Sequence, residues 1–130
     1  MFVFDLYHYK NLNPTVKSIS VPRLPQEFPQ LQNGKIVQPS HTVIVGARSI
    51  DDAEKDNVKY SGVTVFTTKD IQEKGIDAVM DEAFKIAGYK TKGVHVSYDL
   101  DVIDPDVAPG VSIPEFDGIS EEEAMKINEY

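Results

Sequence analysis

Residues 63–99 read VTVFTTKDIQEKGIDAVMDEAFKIAGYKTKGVHVSYD, and the change of period along this stretch decides the fold class. Val63 to Phe66 carries the β-branched and aromatic residues of a strand. Between Ile76 and Ala87 the apolar side chains of Ile76, Val79, Met80, Ala83, Phe84 and Ala87 recur three or four residues apart, which gathers them on one face of a helix. Met80 and Phe84 are read there as core. Gly88 is placed to end that helix, and Gly93 to Asp99 returns to the two-residue period of a strand. Working outward, Thr42 to Val45 predicts another strand, Asp52 to Tyr60 a short helix, and Ser120 with Glu123 a capping box for a last helix reaching Tyr130. The aromatics Phe2, Phe4, Tyr7 and Tyr9 suit one more strand. Pro14, Pro22, Pro25, Pro29, Pro39 and the Asn33-Gly34 pair predict an irregular connector over residues 14–40. Strands that alternate with helices imply an α/β fold with a mostly parallel sheet.

The chemistry is concentrated just beyond the last of these strands. In GVHVSYDLD, Val94, Val96, Tyr98 and Leu100 interleave with His95, Ser97, Asp99 and Asp101, so strand alternation predicts that Asp99 and Asp101 share a face. Two carboxylates roughly 7 Å apart along a strand repel each other unless a cation lies between them. Mg²⁺ and Mn²⁺, which prefer oxygen ligands, suit such a pair. The plainer reading of a lone D-x-D is a strand end with its charges in water. What favours a site is the surrounding run: Pro105 and Pro109 stiffen the chain after the acids, and Gly110 allows the backbone a φ that other residues avoid. Rigid acidic loops past the carboxyl end of a strand are where α/β proteins place their sites. His41 and His95 are read as structural.

The string S-Y-D-L-D, three residues, Pro, three residues, Pro-Gly, seven residues, Gly is met by Ser97, Asp99, Asp101, Pro105, Pro109, Gly110 and Gly118. It resembles the carboxyl-terminal signature of the ureohydrolase family, which comprises arginase, agmatinase and formimidoylglutamase. The resemblance implies a three-layer sandwich around a mostly parallel sheet, of which a chain this short would be an incomplete copy. It also implies a dinuclear Mn²⁺ centre whose bridging hydroxide attacks the guanidinium carbon, with Asp99 and Asp101 as metal ligands. A second segment, residues 43–84, resembles arginase in particular, because an Arg-x-x-Asp-x-x-Glu pattern follows its first strand as Arg48, Asp51 and Glu54. The resemblance assigns Asp51 and Glu54 to the amino-acid end of the substrate. Asp51 is also read as a helix N-cap, with Asp52 and Glu54 complementing the helix dipole.

Upstream, FVFDLYHYKNLN is the nearest match to the family's D-A-H-x-D-x-N strand. The match aligns Asp5 with a metal-binding acid and Asn11 with a substrate contact, but it sets Tyr7 and Tyr9 where a histidine and an aspartate belong. His8 is one residue out of register, on the opposite face of a strand. Pro22 stands near the place of the proton-shuttling histidine, and no residue of this chain is assigned a catalytic role. The resemblance therefore implies arginase-like hydrolysis of L-arginine to L-ornithine and urea, with the isolated chain expected to be inactive. Agmatinase or another ureohydrolase is one alternative; a non-catalytic arginase-like subunit or a truncated gene product is another. The expected domain is one partial unit over residues 1–130, diverged to residue 40 and closely similar from residue 41.

Composition narrows the partners. The 130 residues carry 21 acids against 13 Lys plus Arg, a formal charge of -8, so no basic stripe exists to neutralise nucleic-acid phosphates. The same balance suits a small cationic guanidino substrate such as L-arginine. With no cysteine there is neither a disulfide framework nor a thiolate metal site. No stretch has the length of a membrane span or the pattern of a secretory leader, which makes the cytoplasm the expected compartment. Strands and core faces shaped for missing neighbours predict self-association or association with another subunit.

Overall fold

Strand β1 (Phe2–Asp5) lies inside a four-stranded sheet, between β2 (Val43–Ala47) and β4 (His95–Tyr98), with β3 (Thr64–Thr67) beyond β2. The computed structural model describes residues 2–5, 38–50, 52–111 and 114–130, with residues 2–5, 53 and 54 described as backbone only. β2 and β3 pair in parallel, Val43 opposite Thr64 and Ile44 opposite Val65, whereas β1 runs antiparallel to both of its neighbours. Three of the four strands thus share one direction, as a mostly parallel α/β sheet requires, and β1 is the reversed one. A period of two tells which residues share a face. It carries no information on strand direction, which is settled by the pairing.

Among the described residues, four α-helices accompany the sheet: α1 (Asp52–Ser61), α2 (Thr68–Lys74), α3 (Ile76–Ala87) and α4 (Glu121–Ile127). The apolar face of α3 is seated as its spacing predicts: Ile76, Val79, Met80, Ala83 and Ala87 are buried with Val43 and Val45 of β2, Phe66 of β3 and Ile71 of α2. Phe84 packs at the margin of this core and stacks on Tyr130 with ring centroids 5.6 Å apart. Gly88 follows α3 because a Cβ there would lie 2.7 Å from the Phe84 carbonyl oxygen. Helix α4 begins at the Ser120–Glu123 capping box but stops at Ile127, short of Tyr130, with Asn128 as its C-cap.

Helix α2 was not expected, although its signal stands in the sequence. The Thr67 hydroxyl accepts from the Asp70 backbone N–H at 3.1 Å, and the Asp70 carboxylate accepts from the Thr67 N–H at 2.8 Å. This is the reciprocal cap that a Thr three residues before an acid permits. Gly75, with φ of 85°, then separates α2 from α3. The Thr67 hydroxyl and then its backbone N–H hold the Asp70 carboxyl below the ordinary aspartate range, helped by Lys74 and Lys69. A depressed folded pKa contributes stability that is present above the ordinary value of ~3.9 and is lost as pH falls through the folded value. Thr67→Ala is expected to cost about 1 kcal/mol at neutral pH. In urea denaturation its deficit against the parent chain should shrink once Asp70 is protonated; a deficit independent of pH would contradict this.

At the carboxyl end of β2 the pairing with β3 shifts register between Val45 and Ala47, and Gly46 sits there with φ of 81°. A Cβ on Gly46 would come within 2.4 Å of the buried Val102 side chain. The bulge brings the end of β2 against the chain that follows β4, where the acidic motif begins.

Candidate functional site

β4 ends at Tyr98, so the alternation expected to run through Asp99 and Asp101 stops one residue short of the first acid. Asp99 is still extended, with φ of -98° and ψ of 121°, but it serves as the N-cap of a single 3₁₀ turn, Leu100–Val102. Its carboxylate accepts the Asp101 backbone N–H at 3.2 Å. The two acids remain neighbours through this turn, not as same-face residues of a strand. An aspartate at the point where a strand ends readily bonds the backbone two residues on, and that local bond competes with continued extension.

Arg48, just past β2, clamps the loop from its other side. Its guanidinium donates to the Asp101 carbonyl at 2.5 Å, to the Glu115 carbonyl at 2.8 Å and to the Phe116 carbonyl at 3.1 Å. A planar fork of donors can hold three carbonyls that one ammonium could not. The start and the end of the acidic loop are thus tied to the same side chain. The sequence reading used Arg48 only as the first letter of a pattern; no periodicity reveals a side chain whose partners lie more than fifty residues away.

Below the clamp the loop closes on a neck. Ile103 and Ile119 form a parallel bridge, with Asp104 N–H donating to the Ile119 carbonyl and Ile119 N–H to the Val102 carbonyl, both at 3.0 Å. The Asp104 carboxylate accepts from Asp106 N–H at 2.9 Å and Gly118 N–H at 3.1 Å. These donors, the Asp106 amide first, hold its carboxyl below the ordinary range, with Arg48 adding a smaller attraction. Gly118 is required by close approach: a Cβ there would lie 2.4 Å from the Asp104 nitrogen and 2.7 Å from the Ile103 carbonyl carbon. Gly110 has neither role, since its φ lies outside the left-handed region and nothing stands within 4 Å of a Cβ built on it. The backbone freedom that a glycine offers at position 110 is thus not used. Asp104, which the sequence reading passed over, proves to be the acid that closes the neck.

The sequence profile of the arginase family matches residues 12–130. The chain belongs to the arginase family. The arginase of Brevibacillus brevis is 45% identical over 84 residues, which are 65% of this chain and 28% of that protein. The solved arginase of Bacillus caldovelox superposes with a TM-score of 0.66 at 34% identity, over 73% of this chain and 32% of its own. An Entamoeba histolytica arginase solved in complex with L-ornithine gives 0.67 at 30% identity, over 78% and 34%. A formimidoylglutamase and an agmatinase share the fold. The chain therefore spans about a third of the length of the arginases it matches and represents an incomplete arginase-like α/β fold. Arginase-family members are hydrolases acting on C–N bonds.

Set against the arginase assignment, the predicted residues divide sharply. Asp99 and Asp101 stand together at the head of the clamped loop. The backbone of Asp5 pairs with His95, while Phe2 pairs with Tyr98 at the end that leads to Asp99. The backbone of Asp5 is thus four residues, about 13 Å, further down the sheet than that of Asp99, and the Asp5 side chain lies outside the described residues. The reversal of β1 is the cause. Asn11 and Asp51 lie outside the described residues, as do the side chain of Glu54 and the residues Ser112 and Ile113. His95 is exposed, and His41 packs edge-on to Tyr89 with ring centroids 6.3 Å apart.

Whether these residues suit a paired manganese centre can be judged from the donor set. Among the described residues no group of three or more His, Cys, Asp or Glu side chains converges. Asp99 spends one carboxylate oxygen on the Asp101 amide. Among the described residues, Asp99 and Asp101 are two carboxylates, fewer than the several ligands that each metal of a dinuclear centre needs.

Proposed function

We propose that this chain carries the acidic loop of an arginase-type ureohydrolase, whose reaction is Mn²⁺-dependent hydrolysis of L-arginine to L-ornithine and urea in the cytoplasm. The observation that carries the reading is the Ser97–Gly118 motif, presented at the carboxyl end of β4 and clamped by Arg48. An excess of acids over Lys and Arg suits a guanidinium substrate. Asp51 and Glu54, at the start of α1 in sequence, remain the residues proposed to distinguish arginine from agmatine, which lacks the α-carboxylate.

The chain of 130 residues is expected to release no urea from arginine in excess Mn²⁺, because the remaining ligands are not supplied. Urea release that disappears in Asp101→Ala would overturn this. A second reading, a non-catalytic relative acting through association with another subunit, is favoured by one observation: the reversed β1 carries the backbone of Asp5 away from the acidic loop. Adding the purified chain to an active arginase separates the two readings. A change in turnover, dependent on the added chain, supports the associating subunit; unchanged turnover counts against it.

A further inference from the structure

We propose that the Arg48 clamp is a strained latch, which keeps the acidic loop closed against two left-handed residues and lets it open as one unit at its neck. Among the described residues, those with positive φ that are not glycine are Ser49 at 55°, Lys90 at 56° and Asp117 at 62°. Ser49 and Asp117 flank the clamp. Ser49 follows Arg48, the donor, and Asp117 follows Phe116, whose carbonyl accepts at 3.1 Å. A left-handed backbone costs a residue with a Cβ free energy that a glycine there would not lose. Aspartate visits this region more readily than serine, so most of the strain lies at Ser49. Ser49 is exposed, so burial does not compel its conformation. The guanidinium of the preceding residue does, because its bonds to the loop fix the direction in which the chain leaves β2.

Below the clamp the two sides of the neck are joined by a few bonds that all cross it. Asp104 N–H and Ile119 N–H each cross at 3.0 Å, and Gly118 N–H reaches the Asp104 carboxylate at 3.1 Å. The turn at Asp117 brings that residue's own amide toward the same carboxylate. Each bond links residues 102–104 to residues 117–119, so none persists once the two sides part. Arg48 ties the same two sides, Asp101 on one and Glu115 and Phe116 on the other. Its release and the parting of the neck are therefore one event. Opening returns Ser49 and Asp117 to ordinary backbone regions, which offsets part of the lost bonding. Strain retained at a site in this way makes two states accessible, and such segments come from the low-stability end of a fold. The acid pair then has a held and a released form. In the held form the clamp grips the Asp101 carbonyl while the Asp99 carboxylate accepts the Asp101 amide.

Native-state amide hydrogen exchange of the 130-residue chain tests this. The amides of Asp104, Gly118 and Ile119 are expected to share one protection factor, lower than that of α3 amides such as Met80 and Ala83. Ser49→Gly should raise all three together about threefold, because the strain relieved exceeds the freedom a glycine adds to the open chain. Asp117→Gly should act in the same direction and less. Lys90→Gly, at the left-handed residue beyond the end of α3, should leave the neck unchanged. In an Arg48→Ala background the gain from Ser49→Gly should vanish, since nothing then imposes the left-handed turn. Unequal protection across the neck, or protection equal to that of α3, overturns the proposal. So does a gain from Ser49→Gly that is absent, or that survives in Arg48→Ala. If Arg48→Ala fails to fold, the parent chain and Ser49→Gly still decide. Failure of the latch would leave the arginase-type reading intact, because no step of that reading uses the opening of the neck.

Discussion

Gly118→Ala is expected to destabilise the chain by about 3 kcal/mol, the upper part of the range for overpacking a closed structure. The added methyl would meet the backbone of Asp104 and Ile103, with nearest atoms at 2.4 and 2.7 Å. Backbone atoms cannot turn aside as a side chain can, so relief requires opening the Ile103–Ile119 bridge and the Gly118 N–H bond to Asp104. Gly110→Ala supplies the internal comparison: it belongs to the same sequence motif, yet has free space around it. Its effect should stay within about 0.5 kcal/mol. Urea denaturation followed by circular dichroism measures both. Equal losses at the two glycines would show that the neck is not closed as described.

Arg48→Ala is expected to cost about 2 kcal/mol and to release the acidic loop. Hydrogen bonds from a charged donor contribute about 1.5–3 kcal/mol each when well shielded. The bonds to Glu115 and Phe116 are exposed, so the sum is far from additive. Removing the guanidinium frees the carbonyls of Asp101, Glu115 and Phe116 together. Hydrogen exchange should therefore accelerate in residues 100–119 while the amides of α3 keep their protection. Arg48→Lys should recover less than half of the loss, because a single ammonium cannot span three carbonyls. Full recovery by lysine would mean that charge alone, and not the fork, holds the loop.

These two substitutions mark where reading along the chain succeeded and where it stopped. The α3 face from Ile76 to Ala87 was legible because its packing follows from a period repeated through three turns. The cap at Ser120 was legible because both partners lie within one turn. The cap at Thr67 had the same kind of signal and was overlooked, so helix α2 appeared only in the structure. For the site, spacing identified Asp99, Asp101 and Gly118 as members of one motif. It credited their arrangement to strand alternation, whereas the arrangement is produced by the Asp99 turn, the Asp104 neck and the Arg48 clamp.

By itself the sequence determined the α/β class, the apolar face of α3, the acidic balance and the membership of the ureohydrolases carried by the Ser97–Gly118 string. Each of these depends on residues close together in the chain or on composition. Only the tertiary structure decided that β1 runs against its neighbours, which carries the backbone of Asp5 about 13 Å from Asp99, and that Arg48 holds both ends of the acidic loop. Strand direction and long-range hydrogen bonds are properties of pairing between distant segments. The physical reason is that a local period records which face a side chain occupies, but never which segment comes to lie beside it.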